Sequence, residues 1–135
     1  MIGKKNMAFG FFYFLTTLGL GLFLASKFKL PPDQLGAWMQ SAQHATLKAA
    51  HAHGNLESFL NIAIGYLLCR LALDAWIAKT VSVLLIVGAL FHSGMLYLGG
   101  AGYSTALMLT PIGAISIVAS MLLMGIGVLR LKSVD

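Results

Sequence analysis

Residues Ala50 to Leu68 read AHAHGNLESFLNIAIGYLL. The last two thirds of this stretch form an aliphatic run suited to crossing a bilayer. The first third carries His51, His53, Asn55, Glu57 and Ser58. A charge at the centre of a membrane helix costs about 2.5–3.5 kcal/mol on insertion scales. Groups of this kind are kept where they bind something or react with something. The remainder of the chain reads as the wall that places them.

The chain has 135 residues, of which 59% are hydrophobic and 10% charged. Soluble domains carry roughly 25% charged residues. The mean hydropathy is +0.86. The length accommodates about four spans of ~20 residues with short links, in a single domain. The net charge is +5, from nine Lys and Arg against four Asp and Glu. The basic residues stand near span ends, as the positive-inside rule requires. No basic run with interleaved aromatics is present, so nucleic acid is not an expected partner. The single cysteine, Cys69, excludes an internal disulfide and a Cys-rich metal cluster.

In chain order, Met1 to Met7 is a polar leader carrying Lys4 and Lys5, and Ala8 to Ser26 is free of charge. A basic start before an apolar run also fits a secretory signal. Lys27 and Lys29 stand where small cleavage-site residues would be needed, so an uncleaved first span is expected. Gly10, Gly19 and Gly21 suit close helix packing. In the link that follows, Pro31 and Pro32 stop a helix, Asp33 opens a turn and Trp38 suits a membrane interface. Gln40 to Lys48 is expected to be helical already.

The second span is expected over residues 49–73, with Arg70 and Asp74 paired four residues apart on one face. The third covers 80–98. Gly99 to Gly102 makes a tight turn, and the fourth covers 103–129 with a kink at Pro111. The expected fold is all-α: an integral membrane four-helix transmembrane bundle, oligomeric. Lys4, Lys5, Arg70, Lys79, Arg130 and Lys132 fall on one side, and Lys27, Lys29 and Lys48 on the other. That bias places both termini in the cytoplasm, with a bacterial inner membrane as the expected setting.

With a rise of ~1.5 Å per residue, His53 lies roughly 7 Å inside the second span and His92 roughly 10 Å inside the third. Tyr97, Tyr103, Ser104 and Thr105 lie above them at the same end. The polar residues are thus expected in the outer half, with an inner half nearly all aliphatic. At ~100° per residue, His51 and His53 point about 160° apart and do not share one iron from one regular helix. His51 shares a face with Asn55 and Ser58, and His53 with Glu57 and Asn61. One face can turn inward and the other toward a neighbouring copy. A zinc site usually takes three or four close ligands, and no HExxH signature is present. One or two histidines in an apolar surround without thiolates fit haem better. Glu57 is placed to hydrogen-bond the His53 imidazole.

The stretch from Ala50 to Leu68 resembles the second span of the styrene oxide isomerase family, small four-span membrane proteins that bind haem b. The likeness covers about nineteen residues without gaps, including the Ala-His pair and Leu56. It extends weakly to Lys5 and Met7-Ala8, to the Leu-Gly-Leu-Gly-Leu of the first span and to Tyr97-Leu98. His-Ala-His-x-Asn also resembles haem-ligating helices of respiratory-type membrane proteins.

The family resemblance implies a homo-oligomer, a trimer, with haem b between adjacent protomers. Ferric iron then acts as a Lewis acid on a small lipophilic epoxide, which becomes a carbonyl compound. His51 matches the axial histidine, and Tyr97 matches a tyrosine near the substrate. The family's asparagine in the second span falls here on Glu57, and its aspartate in the third on Gly88 or Ala89. The loop between the third and fourth spans is far shorter. His51, His53, Asn55, Ser58 and His92 are the expected cofactor-binding residues, with His51 on the iron. Glu57 or Tyr97 is expected to steer the ring opening. The competing expectation is a non-catalytic haem protein: a redox carrier, a sensor or a small subunit of a larger complex.

Overall fold

In the computed structural model, which describes residues 2–131, the chain forms six α-helices. They are α1 (Gly3–Ser26), α2 (Pro32–Met39), α3 (Ala42–Arg70), α4 (Ala75–Phe91), α5 (Ser93–Gly100) and α6 (Thr110–Leu129). Short 3-10 turns cover Lys27–Lys29 and Ser104–Leu109, and no strand occurs among the described residues. The quoted stretch lies within α3. Ser41 starts that helix with an extended backbone, and its hydroxyl accepts a hydrogen bond from His44 N at 3.1 Å. This satisfies one of the four free amides of the first turn.

Three segments, Gly3–Lys29, Ala75–Gly100 and Ser104–Leu129, are long and apolar enough to cross a membrane. The surface agrees with them. Phe12 (72%), Leu22 (75%), Val118 (68%) and Leu122 (65%) are exposed, while Asn6, Thr17, Glu57, Ser58, Asn61, Ser93 and Ser120 are buried. A soluble domain does not leave so much large apolar surface uncovered. The protein is all-α and has the surface of an integral membrane protein.

α1 and α3 form the most intimate pair. On α1 the residues Gly3, Asn6, Gly10 and Thr17 are buried, and on α3 Ala50, Gly54, Glu57, Ser58, Asn61 and Gly65. Spacings of three and four place each set on one helix face. The backbones nearly touch. A Cβ on Gly65 would lie 2.8 Å from Gly3 O and 2.9 Å from Met7 N, and one on Gly10 would lie 2.7 Å from Ser58 O. This is the small-residue packing that membrane helices use in place of a hydrophobic driving force. α4 pairs with α6, and Ile64, Leu68, Ile77, Val81, Leu85 and Met124 join the two pairs in one apolar cluster. At the opposite end Leu20, Leu47 and Ala50 pack with Trp38, Leu96 and Tyr97. There Lys27 Nζ lies 4.8 Å from the Phe23 ring and 5.2 Å from the Trp38 ring, a cation–π contact that fastens α2 across α1.

Several local expectations change. The leader is not separate from the first span: α1 begins at Gly3 and buries Asn6, because Asn6 has partners across the seam. The helical turns stop at Lys29, ahead of Pro31 as expected, and Pro32 also opens α2, since the first helical position needs no amide hydrogen. Arg70 and Asp74 make no ion pair among the described residues, because α3 ends at Arg70 and Asp74 caps α4. Pro111 does not kink a span, because it lies in the first turn of α6. The third rod does break, at His92 (φ −97°, ψ −83°), between α4 and α5. Gly102 takes a left-handed φ of +113° in the turn after α5. Lys132, counted above among the charges of one side, lies outside the described residues.

Gly65→Ala is expected to lower stability by about 1–3 kcal/mol, the cost of overpacking a tight contact. Gly19→Ala, where a Cβ meets nothing within 4 Å, should raise it by up to about 1 kcal/mol through helix propensity. Unfolding in detergent micelles followed by circular dichroism checks both.

Candidate functional site

The break at His92 organises one cluster of polar groups. α6 approaches it through Gly113, whose added Cβ would strike the backbone at Phe91 and His92 and lie 2.7 Å from Gly88 O. The backbone at the break is therefore held from outside. It delivers His92 and Ser93 to the carboxylate of Glu57, which is 3% exposed. His92 Nδ1 donates to Glu57 Oε1 at 2.6 Å, and Ser93 Oγ donates to Glu57 Oε2. Tyr13 of α1 completes the set, with its hydroxyl 2.7 Å from Ser93 Oγ and 3.2 Å from Ala89 O. His53, one turn before Glu57, is exposed and sets its ring 4.6 Å from that of His92 at 63°. Ligand atoms of His53, Glu57 and His92 all fall within 4.8 Å of one another.

A second cluster lies on the other flank of α3. His51 Nδ1 is 2.9 Å from Thr17 O. A carbonyl only accepts, so Nδ1 carries the hydrogen and Nε2 keeps its lone pair. Nε2 receives the Asn55 amide at 3.3 Å, and Asn55 Oδ1 accepts from Thr17 Oγ1 at 2.5 Å. Gly21 lies against the imidazole, where a Cβ would come within 2.6 Å of Cε1. Between the two clusters Gly54 packs on Thr17, with room for nothing larger: a Cβ would lie 2.5 Å from Thr17 Cγ2.

The remaining expected residues are placed as follows. Ser58 is buried in the α1–α3 seam and donates to Gly54 O at 2.7 Å. Tyr97 donates to Thr16 O at 2.8 Å and lines a cavity of about 260 Å³ with Gly19, Leu20, Phe23, Gln43 and Leu47. Glu57 binds His92 rather than His53, because the α4–α5 break presents a ring nitrogen directly to it.

The inner half is not purely aliphatic, contrary to expectation. Asn6 donates to Asn61 Oδ1 and to Ser82 O, each at 3.0 Å, and Ser82 Oγ donates to Asn6 Oδ1 at 2.5 Å. Asn61 donates to Glu57 O at 3.0 Å and Leu85 O at 3.3 Å. Asn6, Tyr13, Thr17, Ser82 and Ser93 had not been singled out. The spacing Gly3, Asn6, Gly10, Tyr13, Thr17 marks one face of α1 and was the available signal. Nothing comparable marks Ser82 or Ser93. Compared with protein-family models, curated proteins and solved structures, the chain matches none.

Ser93→Ala removes a donor to a buried carboxylate and should cost about 1–3 kcal/mol. Tyr103→Phe, at an exposed position, should stay within about 0.5 kcal/mol of the parent. Chemical unfolding in mixed micelles measures the difference.

Proposed function

We propose that this is a four-span membrane protein that holds haem b on His51 and isomerises a small lipophilic epoxide to a carbonyl compound. α3 is the fourth span in this reading. Its 29 residues measure roughly 44 Å, more than a ~30 Å hydrocarbon core. It lies along α1, and its polar residues Glu57, Ser58 and Asn61 are buried against the neighbouring helices rather than turned to lipid. That burial allows a helix less apolar than α1, α4 and α6 to cross a bilayer. The lysine and arginine bias supports a topology with both termini cytoplasmic, and the membrane in this reading is a bacterial inner membrane.

The observation that carries the haem reading is the state of His51. Its Nδ1–H is tied to a backbone carbonyl, as in most metal-bound histidines, which fixes the ring and leaves Nε2 for the iron. Gly21 gives the ring space, and among the described residues the partner of Nε2 is the Asn55 amide at 3.3 Å, a long bond that a metal can replace. His51, set by Thr17 O and Gly21, would hold a haem iron through Nε2. Ferric haem, when bound, supplies a Lewis acid for an epoxide oxygen.

The chain's own groups do the rest. His51 orients the cofactor. Asn55, held by Thr17, fills the space beside the ligating nitrogen. Tyr97 borders an apolar cavity of about 260 Å³, roomy enough for a small lipophilic molecule, and its hydroxyl is the group that would steer the opening. Gly21 points about 160° away from Gly19 and Phe23 around α1. His51 and the Tyr97 cavity therefore lie on opposite sides of the seam. A single copy does not join them, and the proposal requires an oligomer in which the His51 flank of one copy meets the Tyr97 side of the next. Head-to-tail contacts of this kind close into rings, such as the trimer the resemblance implies.

The purified protein is expected to show a Soret band with an exchangeable iron position and to convert an aryl epoxide to its carbonyl isomer. His51→Ala should abolish the band. Colourless wild-type protein, or an unchanged spectrum in His51→Ala, refutes the assignment. A spectrum with two histidines on the iron favours a redox carrier instead.

A further inference from the structure

The cluster of His53, Glu57 and His92 is used by neither the His51 cofactor reading nor the Tyr97 cavity. A buried Glu57–His92 pair is a sufficient explanation of those two residues alone. It does not account for His53. This imidazole stands exposed on an apolar helix flank, in the first half of α3, and makes no hydrogen bond of its own among the described residues. Yet it turns its ring against His92 rather than away. A polar ring on a lipid-facing surface needs a partner, and a partner that draws two imidazoles and a carboxylate together is a cation.

The geometry points to a divalent transition-metal site of the zinc type, formed by His53, Glu57 and His92. His53 and Glu57 stand at i and i+4 on one helix face, the spacing that aims two ligands at one point. His92 enters from the α4–α5 break, whose backbone is held by Gly113. Ligand atoms on a tetrahedral ion at ~2.0–2.1 Å stand ~3.4 Å apart. To reach that spacing His53, the freest of the three, rotates inward from a spread of up to 4.8 Å, and His92 Nδ1 and Glu57 Oε1 part from their 2.6 Å hydrogen bond. The ion takes the place of the hydrogen between His92 Nδ1 and Glu57 Oε1, which passes to His92 Nε2, so a neutral imidazole ligates through Nδ1. Ser93 stays on Glu57 Oε2 and holds the ligating carboxylate in place, as outer partners of metal ligands do. Nitrogen and oxygen ligands without thiolate suit Zn²⁺ and its neighbours rather than Ca²⁺ or Mg²⁺, which take mainly oxygen. Three protein ligands leave a fourth position for water or another oxygen ligand.

The test is equilibrium dialysis of the detergent-purified full chain against Zn²⁺, with metal per chain counted by elemental analysis and melting temperature followed in parallel. One Zn²⁺ per chain is expected, beyond any iron, together with a raised melting temperature. His53→Ala should weaken Zn²⁺ uptake by at least about 10–100-fold, the loss that even an outer partner's removal causes. Because His53 is exposed and bears no hydrogen bond, that variant should keep the parent's melting temperature without metal. His51→Ala and His44→Ala should bind Zn²⁺ as the parent does, which separates this site from the proposed haem ligand. No stoichiometric uptake by the parent, parent-like affinity in His53→Ala, or loss of uptake in His51→Ala would each overturn the assignment.

Discussion

A carboxylate that is 3% exposed sets the terms for the rest of the bundle. Taking an ionised group out of water costs several kcal/mol even after relaxation, unless hydrogen bonds and opposite charge repay it. Glu57 finds that repayment in two adjacent residues, His92 and Ser93, which a continuous helix would point in different directions. The break between α4 and α5 aims both at one carboxylate. The break in turn is possible where α6 can press a glycine against it. Tyr13 then ties α1 to Ser93 and to Ala89 O, so one side chain on α3 is linked to α1, to α4 and to α5.

Burial is inverted relative to a soluble domain, and this explains how the polar groups are distributed. With lipid outside, the aliphatic side chains have no reason to leave the surface. The amides and hydroxyls must find one another inside. The Asn6–Asn61–Ser82 network at one end and the Glu57 cluster nearer the other are two solutions to the same requirement. The two are linked, because Asn61 also donates to the carbonyl of Glu57. Among the described residues no buried side-chain nitrogen or oxygen lacks a partner.

Much of the architecture could be read from residue order. The apolar runs marked three of the rods by length alone, and the Ala50–Leu68 stretch marked the polar helix. Glu57, His53 and His92 were each legible as unusual, since ionisable groups in such runs are rare. Their convergence was not. It depends on the break at His92, where the Ser93-Gly94 pair is the one local hint; Gly113, which lets α6 close on the break, stands 21 positions further along the chain. Asn6 was missed for a related reason. Two lysines beside it suggested a solvated leader, whereas the near contact of Gly3 and Gly65 carries the helix to its first turn and encloses the amide. Pro31 and Pro32 do end the helical turns before them, while Pro111, expected as a kink, stands in the first turn of a helix, because the chain's direction decides which end a proline belongs to.

The glycine seam has a mechanical consequence. Where two backbones meet without intervening side chains, there are no rotamers to adjust and no slack to take up. α1 and α3 can neither slide past one another nor roll without clashing carbonyl on carbonyl. The same lock recurs where α6 presses Gly113 onto the backbone at Phe91 and His92, so the broken rod is clamped at its bend as well. Yielding is left to the places where a side chain intervenes, as at the end of α5, where Leu107 and Leu47 seat against Gly99 and Gly100.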